Sequence, residues 1–265
     1  MSDSVPVAGQ SNIVAELGLR TTLQGETTHG VARVVDEACV PGTSTLRTSV
    51  LATWADIVTG AVAGTSIDPR IPLTLDLEVQ LHRLVPSGVE LRLEAEPVKV
   101  GRRIILTEVR ICDAASDETF GMALVSFVAS PNPEHVFEGG FPKLANLEGR
   151  LAVPLAERIG GTVVEPGTFD LPRRPDGQNA SGGIQGGIIV FGAEEAARSL
   201  FDTPSVATSL TVRYLRPFTN GPARCVAEVH GSLAVVRLTD LVTGKIGAFV
   251  TMRLHRADLP TLENL

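Results

Sequence analysis

The chain has 265 residues, of which 43% are hydrophobic, enough for one large core or for two domains of roughly 100–150 residues each. The net charge is −7 and the basic residues do not cluster, which argues against a nucleic-acid partner. Cys39, Cys112 and Cys225 are widely spaced, so buried thiols are expected rather than disulfides or a metal site. No secretory pattern and no apolar run of roughly 20 residues is recognised, so we expect a cytoplasmic protein without a membrane span.

In the first half, the sequence predicts a short helix, a strand, a long helix and four further strands. The long helix, residues 48–63, has apolar side chains at helical spacing and also elsewhere, with Asp56 as its only charge. Such an all-round apolar helix is typical of a buried position. The predicted ranges are 12–19 and 48–63 for the helices, and 28–35, 74–81, 89–95, 104–112 and 121–129 for the strands.

The second half repeats this order after a segment rich in proline and glycine, residues 131–148, which we interpret as a linker between domains 1–130 and 149–265. The predicted ranges are 154–159 and 187–200 for the helices, and 167–171, 209–215, 224–229, 234–239 and 246–253 for the strands. Positions that correspond between the halves are Leu77 and Leu210, Val79 and Val212, and Leu81 and Tyr214. The repeated order indicates a duplicated domain.

The loop before the second long helix carries an informative motif. It reads Asn179-Ala-Ser-Gly-Gly-Ile-Gln185-Gly186-Gly187, and Glu194 follows on the predicted helix. This motif resembles that of hotdog-fold thioesterases of the PaaI-like or 4-hydroxybenzoyl-CoA thioesterase-like group. In that family an Asn or Gln, then His-Gly-Gly, then an Asp or Glu occur at the same spacing of six and nine residues. Gln185 stands where the family has His.

A less complete copy of the motif precedes the first long helix, where Arg47-Thr48-Ser49 takes the His-Gly-Gly position and Asp56 the carboxylate position. The resemblance covers nearly the whole chain. It implies an α+β fold of two hotdog domains in tandem, each a curved antiparallel sheet wrapped around a long central helix. In the family, each site takes its Asn and Gly from one hotdog and its carboxylate from the other.

The resemblance thus implies one complete site, in which Asn179 and Gly186 face Asp56, while Glu194 faces the incomplete loop of the first half. The implied function is an acyl-CoA thioesterase acting on a CoA or carrier-protein thioester. Asp56 is expected to be the main nucleophile or general base, and the Gly186 amide and Asn179 to stabilise the oxyanion. Glu194 is a second candidate catalytic carboxylate. The candidate substrate-binding residues are Gln185, Gly187, Arg47 and Thr48.

Several alternatives stay open. A non-catalytic acyl-CoA-binding hotdog is compatible with the missing His and the incomplete first motif, whereas a hotdog enoyl-CoA hydratase or dehydratase usually has a catalytic His near the helix start. Asn179 either donates a hydrogen bond to substrate or shapes its turn through tolerance of left-handed backbone angles. The glycine-rich runs lack the strand–helix–strand order of a dinucleotide site, so no cofactor is predicted. The family also allows a homo-oligomer of double-hotdog chains.

Overall fold

The structure is a computed structural model that describes residues 12–138 and 149–256. In these residues, one antiparallel sheet of twelve strands wraps two long helices. The helices are α1 (Thr48–Ile67), α2 (Leu155–Ile159) and α3 (Gly186–Arg198). The strands are β1 (Arg20–Gln24), β2 (Thr27–Arg33), β3 (Pro72–Leu81), β4 (Glu90–Val100), β5 (Ile105–Asp113), β6 (Thr119–Ala129), β7 (Thr162–Glu165), β8 (Thr168–Leu171), β9 (Ser205–Tyr214), β10 (Ala223–His230), β11 (Leu233–Asp240) and β12 (Ile246–Arg256).

The order of the strands shows that the chain contains the same arrangement twice. The first half runs β1-β2-β4-β5-β6-β3 from its edge to the centre, and the second half runs β7-β8-β10-β11-β12-β9. At the centre, β3 pairs antiparallel with β9, with Leu77 opposite Val212 and Val79 opposite Leu210. A two-fold rotation exchanges these two pairs, because Leu77 corresponds to Leu210 and Val79 to Val212. The predicted α+β fold of two tandem hotdogs is confirmed.

Helix α1 is the central helix of the first half, and its composition explains its position. Trp54 and Val58 are almost completely buried in the core that the sheet encloses. The buried hydroxyl of Thr53 donates to the backbone carbonyl of Ser49 at 2.8 Å, so this hydroxyl is paired inside the protein. By length and composition α1 is apolar enough to cross a membrane, although no apolar run of this length was recognised in the sequence. Most of the helix is buried inside this protein. A core helix needs the same apolar composition.

Helices α1 and α3 contact each other closely where the two halves meet. A Cβ atom on Gly187 would lie 1.9 Å from the hydroxyl oxygen of Thr53, so only glycine fits at this position. The contact brings the start of α3 alongside the second turn of α1. Asp56, one turn beyond Thr53, is therefore carried to the interface between the hotdogs.

The structure differs from the sequence prediction mainly at the two edges of the sheet. The strands β1 and β7 were not predicted, because almost all of their side chains are exposed and an edge strand needs no apolar alternation. The first predicted helix is a single 3-10 turn, Ala15–Leu17, which ends at Gly18 with a φ of 70°. In the predicted linker, Val136 forms a bridge with Arg70, and residues 139–148 lie outside the described residues.

Candidate active site

Asp56 lies two turns into α1 and is half-buried. One of its carboxylate oxygens, Oδ1, accepts a hydrogen bond of 2.7 Å from the hydroxyl of Thr74 in β3. Burial raises the pKa of Asp56 to about 6, and the Thr74 hydrogen bond offsets only part of this effect. The carboxylate is therefore mostly ionised at neutral pH. Because its pKa lies near the working pH, it is well suited to accept a proton from water.

The start of α3 contributes a free backbone donor from the other half of the chain. The side-chain oxygen of Gln185 accepts hydrogen bonds from the N–H groups of Gly187 at 2.6 Å and Ile188 at 3.3 Å. Gln185, at the family's His position, thus acts as the N-cap of the helix. Within residues 12–138 and 149–256, the N–H of Gly186 has no acceptor. It is available to a ligand.

Tyr214, at the end of β9, lies near both Asp56 and Gly186. Its hydroxyl oxygen lies 2.9 Å from the position that a Cβ atom on Gly186 would take. Burial raises the pKa of Tyr214 well above its usual value, and the nearby charge of Asp56 raises it further. The phenol therefore stays protonated, and it lies close to the carboxylate. The motif did not predict this residue; Tyr214 corresponds to the aliphatic Leu81 of the first half.

The counterpart of this site in the duplicated arrangement is filled by a buried ion pair. Arg47 Nη1 lies 3.1 Å from Glu194 Oε2 and 2.7 Å from Glu195 Oε1, and the Arg47 and Glu194 side chains are 1% and 0% exposed. The hydroxyl of Ser49 donates to Glu194 Oε2 at 2.8 Å, and Arg198 pairs with Glu195 at 2.6 Å. Glu194 is thus enclosed by protein groups and has no contact with solvent.

The loop that precedes α3 is organised by Asn179, whose side chain is exposed. Its oxygen Oδ1 accepts hydrogen bonds from the backbone N–H of Ser181 at 3.1 Å, from the Ser181 hydroxyl at 2.8 Å and from the N–H of Gly183 at 3.1 Å. The left-handed alternative for Asn179 is wrong, since Asp117 is the only described residue other than glycine with a positive φ. Asn179 shapes the turn through its side-chain oxygen instead.

The structure therefore brings together some of the predicted site residues and separates others. Asp56 and Gly186 converge on Tyr214, and Gly187 contacts α1 beside them. Arg47 is held in the buried ion pair, and the Thr48 hydroxyl donates to the carbonyl of Ala207 at 2.6 Å in the interior. In the described parts of the chain, no hydrogen bond joins Asn179 to the other members of the site.

A separate groove of about 740 Å³ lies on the outer face of the first half of the sheet, away from the helices. It is lined mainly by residues of β3, β4, β5 and β6, including Glu94, Glu96 and Glu108. Arg110, His29 and His82 also line it, and Arg110 pairs with Glu94 at 3.1 Å, so the lining carries groups of both charges. The sheet separates it from Asp56, so it does not belong to the same site.

Comparisons with known proteins agree with the fold. Residues 45–119, which contain α1 and Asp56, match the family model of the thioesterase superfamily. The chain is similar to the solved structure of the 12:0-ACP thioesterase from Umbellularia californica, with 12% identity, 89% of this chain and 99% of that chain covered, and a TM-score of 0.65. It is also similar to a TesB protein of Mycobacterium avium subspecies paratuberculosis, with 15% identity, 92% and 97% covered, and a TM-score of 0.62.

An acyl-ACP thioesterase from Bacteroides thetaiotaomicron is a further similar structure, with 13% identity, 87% of this chain and 98% of that chain covered, and a TM-score of 0.61. A comparison with curated protein sequences gives no match. At these identities the structural likeness establishes the fold, and the chain is a tandem hotdog protein. The match to the thioesterase superfamily model is confined to residues 45–119, within the first hotdog.

Proposed function

We propose that the chain hydrolyses an acyl thioester, of CoA or of a carrier protein, at a single site between its two hotdogs. The observation that carries this proposal is the pair formed by Asp56 on α1 and the unpaired N–H of Gly186 at the start of α3. Tyr214 lies beside both. A base with a pKa of about 6 and a free helix N-terminal donor are the two groups that thioester hydrolysis requires.

In the proposed reaction, the thioester carbonyl oxygen accepts a hydrogen bond from the Gly186 N–H, and a water molecule lies beside Asp56. The carboxylate takes a proton from the water as the water oxygen bonds to the carbonyl carbon. The oxyanion of the tetrahedral intermediate then re-forms the carbonyl, the C–S bond breaks, and the thiolate receives the proton from Asp56. The products are the carboxylic acid and the free thiol. If the Asp56 carboxylate instead attacks the carbonyl carbon directly from the same position, the C–S bond breaks, the thiolate leaves, and an anhydride forms that water then hydrolyses to restore Asp56.

The second interface position is proposed to be structural. Glu194 has no exposed surface, and its oxygens are occupied by Arg47 and Ser49. A carboxylate in this state has neither room for a substrate nor a lone pair directed to water. Arg47 and Thr48 accordingly belong to the packing of the chain in this proposal, and Asp56 is the working carboxylate.

The tip of the β4–β5 hairpin provides positive charge for the anionic part of the substrate. Lys99, Arg102 and Arg103 are exposed there, and none of them forms an ion pair with another described residue. The tip lies at the same end of the sheet as Thr74, because Ile105 pairs with Phe127 and Phe127 pairs with Thr74. Phosphate groups of CoA, or the acidic surface of a carrier protein, would be attracted to this end of the molecule.

The proposal is tested by measuring free-thiol release from a panel of acyl-CoA and acyl-carrier substrates. Wild-type protein should release thiol, and Asp56→Asn should lower kcat by about 100-fold or more. Glu96→Gln, which neutralises an exposed carboxylate on the outer face, is the matched control and should retain full activity. Binding of acyl-CoA without thiol release would identify a binding module, and loss of enoyl absorbance without thiol release would identify a hydratase.

A further inference from the structure

We propose that the hydroxyl of Tyr214 is a second oxyanion donor, which acts together with the N–H of Gly186. This inference deepens the proposed thioester hydrolysis and rests on it. It assigns a catalytic role to a side chain from the end of β9, outside the helix and loop that carry the motif of the second half. The resulting site takes its base from the first hotdog and both of its donors from the second.

The position of Tyr214 relative to Gly186 supports this role. A Cβ on Gly186 would lie 2.9 Å from the Tyr214 hydroxyl oxygen and 3.2 Å from the ring carbon Cζ that bears it. The hydroxyl is therefore next to the free N–H at the start of α3. A side chain at position 186 would occupy this space.

The backbone around Tyr214 holds the ring against the start of α3. Leu215 and Arg216, which follow it, both donate their N–H groups to the carbonyl of Gly247, at 2.8 and 3.0 Å. The N–H of Ile184, just before α3, donates to the carbonyl of Phe218 at 3.1 Å. These bonds connect the end of β9 with both a neighbouring strand and the loop before the helix. The two donors are thereby fixed relative to each other before substrate binds.

The chemistry of the hydroxyl fits a donor to an anion. Within the described parts of the chain, no hydrogen bond uses the Tyr214 hydroxyl, and it is not one of the fully buried polar atoms that lack a partner, so it is free to donate to a ligand. Burial and the charge of Asp56 keep the phenol protonated, so it is a donor throughout the working pH range. A thioester oxygen that becomes negative in the transition state would supply the missing acceptor, and such charge-assisted bonds are stronger than neutral ones. Tyr214 keeps its proton throughout and forms no covalent bond.

The test compares Tyr214→Phe with wild type in steady-state hydrolysis of hexanoyl-CoA. We expect kcat to fall by about 100-fold while KM changes little, because the donor acts on the charge of the transition state. Thermal unfolding should be nearly unchanged, since the phenylalanine ring fills the same space. Unchanged kcat in Tyr214→Phe would overturn the proposal.

A pH profile separates a direct donor from a residue that acts through Asp56, the charged group that influences the phenol. A direct donor lowers kcat equally at every pH and leaves the acid limb where it is in wild type. If Tyr214→Phe instead moves the acid limb and leaves the plateau unchanged, Tyr214 tunes Asp56 and is not an oxyanion donor. If the wild-type protein binds members of the acyl-CoA and acyl-carrier panel but releases thiol from none of them, the proposed hydrolysis itself is refuted, and this inference with it.

A double-mutant cycle with Gly186→Ala adds an independent readout. The new Cβ would displace the Tyr214 hydroxyl, so Gly186→Ala should lower kcat in wild type. In the Tyr214→Phe background the hydroxyl is already absent, and the same substitution should cost less. Fully additive losses would contradict a shared donor site, because residues that act on one group are not additive.

Discussion

Arg47 and Glu194 form a fully buried ion pair at the position where the duplicated fold would otherwise have a second site. The two groups come from opposite halves of the chain and lie 3.1 Å apart, with 1% and 0% of their side chains exposed. Arg47 occupies the place that Gln185 has before α3, and Glu194 the place that Asp56 has on α1. An ion pair between the halves thus connects the two hotdogs in the interior.

The first prediction concerns the stability of this buried pair. Replacement of Arg47 by Met leaves the charge of Glu194 buried without its cation, which should lower the free energy of unfolding by about 3–5 kcal/mol. The measurement is urea-induced unfolding at neutral pH. The kcat per folded molecule should not change, because Arg47 contacts no group of the proposed site.

Two variants control this experiment. Arg20→Met removes a cation from an exposed pair with Glu90, and it should cost at most about 1 kcal/mol. The double replacement Arg47→Met with Glu194→Met removes both charges of the pair and should recover most of the lost stability. A drop in kcat in Arg47→Met at saturating substrate, without loss of stability, would instead indicate that Arg47 contacts the substrate.

The second prediction is the pH dependence of hydrolysis. Asp56 must be ionised to accept a proton, and burial raises its pKa to about 6. The value of kcat/KM should therefore be constant above neutrality and fall about ten-fold per pH unit below about pH 6. An acid limb near the ordinary aspartate pKa, about 4, would show that Asp56 is not the group that titrates.

The third prediction is that Asp56 lowers the stability of the folded protein at those pH values at which its carboxyl group is ionised. The folded-state pKa, about 6, lies above the ordinary aspartate pKa of about 4, so the folded protein binds the proton more tightly than the unfolded chain does. Its stability should therefore decrease as the pH rises from about 4 to about 6, and stay lower above that range. Asp56→Asn should remove this dependence and be more stable at neutral pH, by on the order of 1–3 kcal/mol. Equal stability of the two proteins at pH 5 and pH 8 would contradict a raised pKa.

The elements that form the core were predictable from the sequence because their buried positions are occupied by apolar residues at a regular spacing. The long helix α1 is apolar on every side, and β3 alternates between buried and outward positions from Leu77 to Leu81. The edge strands β1 and β7 have no such apolar pattern, since most of their residues are exposed. Hydrogen bonds to a single neighbouring strand hold them in place.

For the candidate site, the spacing of the motif predicted Asp56 and the start of α3, but not the partners of each group. Gln185 is a helix cap only because its side chain turns back to the amides of α3, a local geometry that composition does not reveal. The contact of Tyr214 with Gly186 depends on how β9 packs beside α3. The burial of Glu194 depends on Arg47, which is far away in sequence and belongs to the other hotdog.

The fourth prediction tests the contact between the helices. Gly187→Ala would place a Cβ 1.9 Å from the Thr53 hydroxyl and 2.7 Å from the Thr53 Cβ, so α1 and α3 must separate. We expect a loss of about 1–3 kcal/mol in unfolding free energy, and a loss of activity because Asp56 moves away from Gly186. Gly60→Ala, in the same helix as Thr53, is the matched control, because its Cβ would meet nothing closer than 4.0 Å. It should be neutral or slightly stabilising.

The last prediction decides what Asn179 contributes. Its side-chain oxygen accepts three hydrogen bonds within its own loop, which leads directly into α3. Asp at this position keeps that oxygen and removes the amide N–H₂ group. If Asn179 shapes the loop, Asn179→Asp should retain kcat within a few-fold, whereas Asn179→Ala and Asn179→Gly should both lower it, by about 10-fold, since neither supplies an acceptor.

If the amide N–H₂ of Asn179 donates to the thioester oxygen instead, Asn179→Asp should lose as much activity as Asn179→Ala, about 100-fold or more in kcat. Hydrolysis of hexanoyl-CoA by the three variants distinguishes the two roles, and thermal unfolding checks that each variant folds. The described contacts favour loop shaping, because the Asn179 side chain is exposed and its hydrogen bonds are all made to Ser181 and Gly183. In that case Gly186 and Tyr214 remain as the donors at the reacting carbonyl, and Asn179 acts only by holding the start of α3 in position.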